Sequence, residues 1–228
     1  MNTSSTLRCY HLEPDSGQSP KSMVILLHGL GSDGRDMMGL ARALCEDLPE
    51  TVFVCPNAPE RCDLSPLGFQ WFSMRIWTPE SLQAGAKGVL PLLQDFITHQ
   101  LAHYTIPPER LVLGGFSQGA MMALHAGLSY PRPIGGVLAY SGGLADSDMA
   151  NKTSAHKIPI CLIHGQEDEV VSFDIYTQSH AALSQAGLEV QGHAIPNLGH
   201  SIDAIGIEAG VHFLSTCLPE QNHPSMSA

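Results

Sequence analysis

Short runs of apolar, often β-branched residues recur along the chain and alternate with longer segments that have helical spacing. Runs that are apolar throughout are typical of strands whose two faces are both covered by helices. In the segment after Asp36, Leu40, Leu44 and Leu48 recur every four residues and mark one face of a helix. The predicted strands are residues 7–12, 23–28, 51–56, 110–116, 135–141, 158–165 and 189–195, and the other predicted helices are 80–103, 118–129, 172–186 and 201–217.

This alternation of strands and helices predicts an α/β fold with a mostly parallel central sheet and helices on both faces. At 228 residues the chain fits one domain with a substantial core. We expect a single domain over 1–228, with its core over about 6–218 and a flexible polar tail over 219–228. Residues 57–79, with prolines around two tryptophans, interrupt the pattern as a long excursion of the kind that often carries function.

Charge and composition exclude several classes of protein. The chain has 11 Lys and Arg against 22 Asp and Glu, a formal net charge of −11, and such a surface disfavours nucleic acid as a partner. No apolar run approaches the roughly 18 residues of a membrane span, and the first residues lack the apolar region of a secretory signal. The six cysteines contain no CxxC pair, so we expect reduced thiols in a cytoplasmic protein that is not integral to a membrane.

The stretch GGFSQGAM places a serine between two glycines, where a predicted strand meets a predicted helix. In the pattern Gly115-x-Ser117-x-Gly119, a sharp strand-to-helix turn would strain the serine backbone and present its Oγ outward, as in a nucleophile elbow. A side chain at either glycine would collide with neighbouring backbone, and the helix N-terminus would offer N–H groups to a developing oxyanion. A glycine-rich turn without chemistry is the alternative, whereas a P-loop is excluded because no Lys-Ser/Thr follows Gly119.

A serine nucleophile needs a general base and a residue that orients this base. Behind an elbow of this kind, these partners follow the serine in the order Asp or Glu, then His. Asp168 comes just after the predicted strand 158–165, and His200 lies in a loop after the predicted strand 189–195. The order fits a triad in which Asp168 orients His200, and His200 takes the proton from Ser117 and returns it to the leaving group.

Other histidines and carboxylates compete for these roles. His200 is favoured by its place after the final strand, whereas His164 and His193 lie in apolar or strand patterns and are assigned to packing or capping. Three carboxylates near Asp168 are alternatives for the residue that orients the histidine. A charge run such as EDE is, however, more often a solvated turn than part of a triad. The three carboxylates are Glu167, Glu169 and Asp174.

The pair His99 and His103 has the i, i+4 spacing of a zinc-binding pair on a helix. The HExxH motif requires a glutamate directly after the first histidine, and Gln100 stands there instead. We therefore interpret these histidines as helix surface and expect no metal site.

The stretch HGLGSDG, residues 28–34, contains GxGxxG between a predicted strand and a predicted helix. A dinucleotide site needs an acidic residue at the end of the next strand, and strand 51–56 ends in Cys-Pro followed by Asn. The stretch suits an oxyanion loop instead, in which the N–H of Leu30 would act together with that of Gln118, the residue after the nucleophile.

Four motifs follow one another along the chain: HGLGSDG, GFSQGAMMAL, HGQEDEVV and NLGHSI. With them the chain resembles, over nearly its whole length, the carboxylesterase/phospholipase-type α/β hydrolases, which include the acyl-protein thioesterases. The resemblance implies the α/β-hydrolase fold, a triad of Ser117, Asp168 and His200, and oxyanion donors at Leu30 and Gln118. It also implies hydrolysis of carboxylic esters or thioesters through an acyl-enzyme, with no metal or organic cofactor.

The resemblance leaves the substrate open between a small ester or acyl-thioester, an acylated protein and a lysophospholipid. Trp71, Phe72, Trp77 and Leu144 are candidates for an acyl pocket, although aromatic residues at such spacing also serve as plain packing. Ser73 stands where the family usually has aspartate, a departure that bears on substrate choice. Members of the family are commonly cytosolic and several form homodimers, so a homodimer is one expectation. The alternative from another class is a binding protein that keeps the fold without catalysis.

Overall fold

The structure is a computed structural model and describes residues 7–145 and 157–219. A seven-stranded sheet forms its centre, and a separate two-stranded sheet lies beside it. The strands of the described residues are β1 (Cys9–Leu12), β2 (Ser22–Leu27), β3 (Thr51–Pro56), β4 (Glu60–Arg61), β5 (Phe69–Gln70), β6 (Leu111–Phe116), β7 (Gly136–Tyr140), β8 (Ile160–Gly165) and β9 (Val190–Ile195). Their helices are α1 (Gly34–Leu44), α2 (Pro79–Tyr104), α3 (Gln118–Ser129), α4 (Phe173–Gln185) and α5 (Ala204–Cys217), with a 3-10 turn at Pro108–Arg110.

The strand order across the large sheet is β1-β3-β2-β6-β7-β8-β9. Strand β1 runs antiparallel to β3, and every other neighbouring pair is parallel. The register pairs Leu27 at the end of β2 with Gly115 near the end of β6, so the carboxyl ends of these two strands lie side by side. The seven strands predicted from the apolar runs and the mostly parallel α/β sheet are confirmed.

Two hydrophobic layers hold the helices against the faces of the sheet. Successive side chains of a strand point to opposite faces. In β2, Ile25 and Leu27 therefore pack in the layer that contains α2 and α3, whereas Val24 and Leu26 pack in the layer that contains α1 and α5. Because both faces are covered, all six residues of β2 are buried, which explains why its sequence is apolar without alternation.

Helix α1 ends earlier than its leucine spacing indicates. The spacing of Leu40, Leu44 and Leu48 predicts one continuous helical face, but the helix ends at Leu44. Leu48 is still only 5% exposed. Its N–H donates to the carbonyl of Cys45 at 2.9 Å, and the turn that this bond closes brings the leucine side chain back to the core. The residue before a proline is disfavoured in the α conformation, and Leu48 precedes Pro49, so the helix cannot extend through it.

The excursion predicted over 57–79 is present: residues 57–78 leave the large sheet between β3 and α2, and α2 begins at Pro79. Within this excursion, β4 and β5 pair with each other in antiparallel fashion. Phe69 of β5 also forms a bridge with Ser32, which ties the excursion to the loop after β2. The predicted tail beyond Pro219 lies outside the described residues.

Cysteines, paired histidines and long helices are candidates for other functions. All six cysteines lie within the described ranges and are free thiols. His99 and His103 are exposed on α2 as predicted, and no three His, Cys, Asp or Glu side chains in the described ranges are grouped so as to hold a metal ion. Of the helices in 7–145 and 157–219, none combines the length and apolarity needed to cross a bilayer.

Candidate active site

Ser117 forms the junction between β6, the central strand of the sheet, and α3. Its backbone angles are φ 55° and ψ −120°, a conformation that is strained for a residue with a side chain. The N–H of Ser117 donates to the carbonyl of Tyr140 at 2.9 Å and so ties this turn to the neighbouring strand β7. The serine is held at the carboxyl edge of the sheet in the geometry expected of a nucleophile elbow.

The glycines on either side allow the turn to close. A Cβ on Gly119 would lie 2.0 Å from the carbonyl oxygen of Leu27, and a Cβ on Gly115 would lie 2.4 Å from the carbonyl oxygen of Gly119. No side chain tolerates contacts this close to backbone atoms, and only glycine lacks the Cβ. The predicted collision with neighbouring backbone is confirmed at both positions.

Asp168 and His200 form a short hydrogen bond beyond the ends of β8 and β9. Nδ1 of His200 lies 2.7 Å from Oδ2 of Asp168. Because a carboxylate only accepts, Nδ1 carries a proton, so in the neutral imidazole Nε2 is the nitrogen that can accept one. The other oxygen, Oδ1, accepts the N–H groups of Val170 at 2.9 Å and Val171 at 2.8 Å. These bonds fix the carboxylate and, through it, the plane of the imidazole.

Burial distinguishes Asp168 from the carboxylates that compete with it in the sequence. Its residue is 7% exposed, and its side chain is fully buried behind His200. In the described part of the chain, His200 has no other carboxylate within ion-pair distance. The competing residues are all exposed: Glu167, Glu169 and Asp174.

A second histidine, His164, also contacts Asp168. Its Nε2 lies 2.9 Å from the carbonyl oxygen of Val171 and 3.3 Å from Oδ2 of Asp168. Burial lowers the pKa of His164 below its usual value, although the carbonyl of Val171 and the carboxylate of Asp168 oppose this shift. The apolar pattern around His164 predicts a packing or capping role and does not indicate this contact. The signal was its place at the end of β8, four residues before the aspartate.

Ser117 and His200 line the same cavity, which has a volume of about 490 Å³. The ring of Phe116 packs against the imidazole of His200, with 4.7 Å between the ring centroids. Most of the remaining wall is apolar and includes Leu30, Met37, Leu40, Met74, Val170 and Ile202. A cavity with apolar walls and a few polar groups at one point suits a small ligand whose reacting atoms face those groups.

Trp77 lines this cavity and also a second one of about 380 Å³. Leu144 lies in the wall of the second cavity together with Met121, whose N–H bonds to the carbonyl of Ser117 at 3.2 Å. Trp71 and Phe72 line neither cavity, because they are only 1% and 5% exposed within the core. The four residues predicted for an acyl pocket thus divide between open cavities and packed interior.

Leu30 and Gln118 lie on two segments that meet at Ser117. A Cβ on Gly29 would lie 3.3 Å from the Cβ of Ser117, so the loop that carries Leu30 touches the serine. Gln118 is the first residue of α3, where backbone N–H groups lack a partner within the helix. Among the described residues, no acceptor takes the N–H of Leu30. Both N–H groups are therefore able to donate to a ligand atom.

A serine presented at the carboxyl edge of a mostly parallel sheet, with the aspartate and the histidine delivered by later strands, is the architecture of an α/β hydrolase. The sequence matches the Phospholipase/Carboxylesterase family over residues 14–218. The chain belongs to this family, as the order of its motifs indicates.

Its relatives carry the names of esterases and thioesterases. Acyl-protein thioesterase 1 of Aspergillus fumigatus is 34% identical over 224 residues, which cover 90% of this chain and 91% of the relative. The crystal structure of esterase PE8 has a TM-score of 0.88 at 36% identity and covers 93% of this chain and 100% of that one. Zea mays acyl-protein thioesterase 2 has a TM-score of 0.71 at 26% identity, with 92% and 99% covered. These similarities support hydrolase activity on esters or thioesters.

Proposed function

We propose that the protein is a serine hydrolase that cleaves carboxylic esters or thioesters through an acyl-enzyme. The observation that carries this proposal is that a strained Ser117 and His200 line one cavity, where Asp168 holds the histidine at 2.7 Å. The printed names of the relatives, an esterase and acyl-protein thioesterases, support the same class of reaction.

In this reaction Oγ of Ser117 attacks the carbonyl carbon of the substrate while its proton passes to Nε2 of His200. Asp168 stabilises the imidazolium that forms and keeps the histidine in one tautomer. The N–H groups of Leu30 and Gln118 donate to the negative oxygen of the tetrahedral intermediate. His200 then protonates the departing alcohol or thiol, and a water molecule repeats the sequence to release the acid.

The substrate we propose is uncharged and apolar in its acyl part. The mostly apolar wall of the cavity that contains Ser117 supports this choice, and a net charge of −11 gives strongly anionic substrates no long-range attraction. Trp77 and Leu144 are the proposed contacts of the acyl chain. Trp71 and Phe72 are proposed to support the acyl pocket from the packed layer behind it.

The first experiment measures kcat/KM for p-nitrophenyl esters from acetyl to palmitoyl, with Ser117→Ala as the blank. Ser215→Ala, which removes a hydroxyl from α5 away from the cavities, is the matched control and should keep the wild-type rate. We expect turnover that depends on chain length and disappears in Ser117→Ala. A rate equal to that of the blank would favour the non-catalytic binding protein instead.

The leaving group is tested with the best acyl chain found in that series. An oxygen ester, the matching thioester, a lysophospholipid and a peptide S-acylated with the same chain are compared at equal concentration. A higher kcat/KM for the acylated peptide would assign the chain to acyl-protein thioesterases, and a higher value for the lysolipid would assign it to lysophospholipases. A preference for the small oxygen ester would make it a carboxylesterase.

A further inference from the structure

The two proposed oxyanion donors come from parts of the chain that are distant in sequence. Leu30 lies in the loop after β2, and Gln118 lies at the start of α3. Both N–H groups must reach the same oxygen at about 2.7–3.1 Å for the hole to stabilise a tetrahedral intermediate. An error of about 1 Å in a reacting geometry can cost about 100-fold in rate. The rate therefore depends on the distance between the N–H groups of Leu30 and Gln118, and contacts elsewhere in the fold must fix this distance.

Residues 69–72 of the excursion form hydrogen bonds to the loop that carries Leu30. Gly31 donates its N–H to the carbonyl of Phe69 at 2.8 Å, and Phe69 donates its own N–H to the carbonyl of Ser32 at 2.8 Å. On the other side of Leu30, the indole Nε1–H of Trp71 donates to the carbonyl of His28 at 3.0 Å. The loop is thus held both before and after the donor residue.

The same segment forms hydrogen bonds to the side chain of Gln118. The backbone N–H of Trp71 donates to Oε1 of Gln118 at 3.0 Å, and Nε2 of Gln118 donates to the carbonyl of Phe72 at 2.8 Å. The glutamine is completely buried, so both bonds are shielded from water. A carboxamide is needed here because it offers an acceptor and a donor at once, whereas a carboxylate of the same shape only accepts.

A single tautomer of His28, fixed by its two hydrogen bonds, completes the attachment of the loop. Its Nε2 accepts the N–H of Ala58 at 2.9 Å, so Nδ1 carries the ring proton and donates to the carbonyl of Gly29 at 2.7 Å. The residue on which the indole of Trp71 is anchored therefore has one fixed orientation. Its carbonyl also lies against the elbow, because a Cβ on Gly119 would come within 2.6 Å of it.

We propose that residues 69–72, together with the carboxamide of Gln118, set the spacing between the two oxyanion donors, and that Trp71 and Gln118 are positioning residues for the transition state. This inference rests on the proposed serine hydrolase function. It explains why Trp71 and Phe72 are buried instead of lining a cavity: their backbone and the indole nitrogen connect the two halves of the hole.

Trp71→Phe and Gln118→Met test the proposal. The first removes the indole N–H and keeps an aromatic ring, and the second keeps the side-chain length and removes both hydrogen-bonding groups. Displacing the donors reduces the stabilisation of the charged intermediate and leaves binding of the neutral substrate unchanged. We therefore expect kcat to fall about 10-fold to 100-fold while KM changes less than about threefold. Gln100→Met makes the same substitution at another buried glutamine, on α2, and should retain the wild-type kcat.

A trifluoromethyl ketone with the preferred acyl chain provides a readout that a purely structural role would not change. Oγ of Ser117 adds to its carbonyl carbon, the proton goes to His200, and the resulting oxyanion occupies the hole. The inhibition constant should rise in Trp71→Phe and Gln118→Met by the same factor by which kcat/KM falls.

A loss of thermal stability with kcat and the inhibition constant within twofold of wild type would overturn the proposal, as would a rise in KM alone. If Gln118→Met does not fold, Trp71→Phe decides by the same criteria. Failure of the underlying function would appear separately, as undiminished turnover in Ser117→Ala.

Discussion

His164 and Asp168 lie four residues apart along the chain and meet in the interior, with 3.3 Å between Nε2 and Oδ2 and both side chains fully buried. The same carboxylate oxygen accepts the hydrogen bond from His200 at 2.7 Å. His164 therefore borders the Asp168–His200 pair from the protein side, while His200 faces the cavity. On its buried side, the proposed triad is therefore packed against His164.

Asp168→Asn should lower kcat by roughly 10³-fold to 10⁴-fold with little change in folding. The amide keeps the size of the carboxylate, but it no longer selects the tautomer of His200 or stabilises its cation. Esterase assays on the purified variant measure the loss. Glu169→Gln is the matched control, because it neutralises the exposed neighbouring carboxylate. A greater loss in Glu169→Gln than in Asp168→Asn would reassign the orienting role.

His200→Gln should lower kcat by about 10³-fold or more, because His200 lines the same cavity as Ser117 and is the proposed acceptor of its proton. His193→Gln on β9 changes a half-buried histidine that does not line the cavity and should keep most of the activity. Steady-state kinetics on both variants decide the matter. An unaltered rate in His200→Gln would point to another general base.

Lowering the pH from about 7.5 to about 5.5 should reduce the free energy of unfolding. Burial lowers the pKa of His164 and of His28 in the folded chain, so below about pH 6.5 the unfolded chain binds protons that the folded chain does not. Stability rises with pH wherever the unfolded state binds more protons. The contribution is therefore lost as the pH falls through this window and is constant above it.

Urea titrations at several pH values measure this slope. His164→Asn should flatten it, because one of the buried histidines is removed. His99→Asn, at an exposed position on α2, should leave the slope as it is in wild type. Equal slopes in all three proteins would show that burial of His164 does not control the pH dependence.

Gly119→Ala should destabilise the fold by about 3 kcal/mol or more, because its Cβ would lie 2.0 Å from the carbonyl oxygen of Leu27. Gly88→Ala is the matched control on α2, since a Cβ there meets nothing within 4 Å. It should stabilise the protein by up to about 1 kcal/mol through helix propensity. Thermal unfolding of the two variants gives the comparison, and similar effects of both would contradict the packing argument.

Trp77→Ala should shift the preferred acyl chain towards longer esters, because Trp77 lines both cavities and loss of its indole would enlarge the space available to the chain. The chain-length series of p-nitrophenyl esters measures the shift. Ile76→Ala removes an exposed neighbour that lines neither cavity and should leave the profile in place. A profile that is the same for Trp77→Ala and wild type would exclude this role for the tryptophan.

Much of the fold follows from local sequence. The inner strands of the large sheet could be predicted because burial on both faces requires a largely apolar run, as in β2 and β8. The end of α1 could not be read from leucine spacing alone. Leu48 is buried by a turn, although its spacing from Leu44 equals that of one more turn of helix. The residue before a proline is disfavoured in the α conformation, which keeps Leu48 out of the helix.

The sequence by itself determined the strand–helix order, the family and the position of the elbow, because the strained turn at Ser117 admits glycine alone at its two flanking positions. Only the tertiary structure decided which carboxylate of the run EDE meets His200, since burial of Asp168 depends on how the ends of β8 and β9 approach. It also decided that Trp71 faces the interior and bonds to His28 and Gln118. Contacts between residues so far apart in the chain arise from packing and leave no spacing pattern in the sequence.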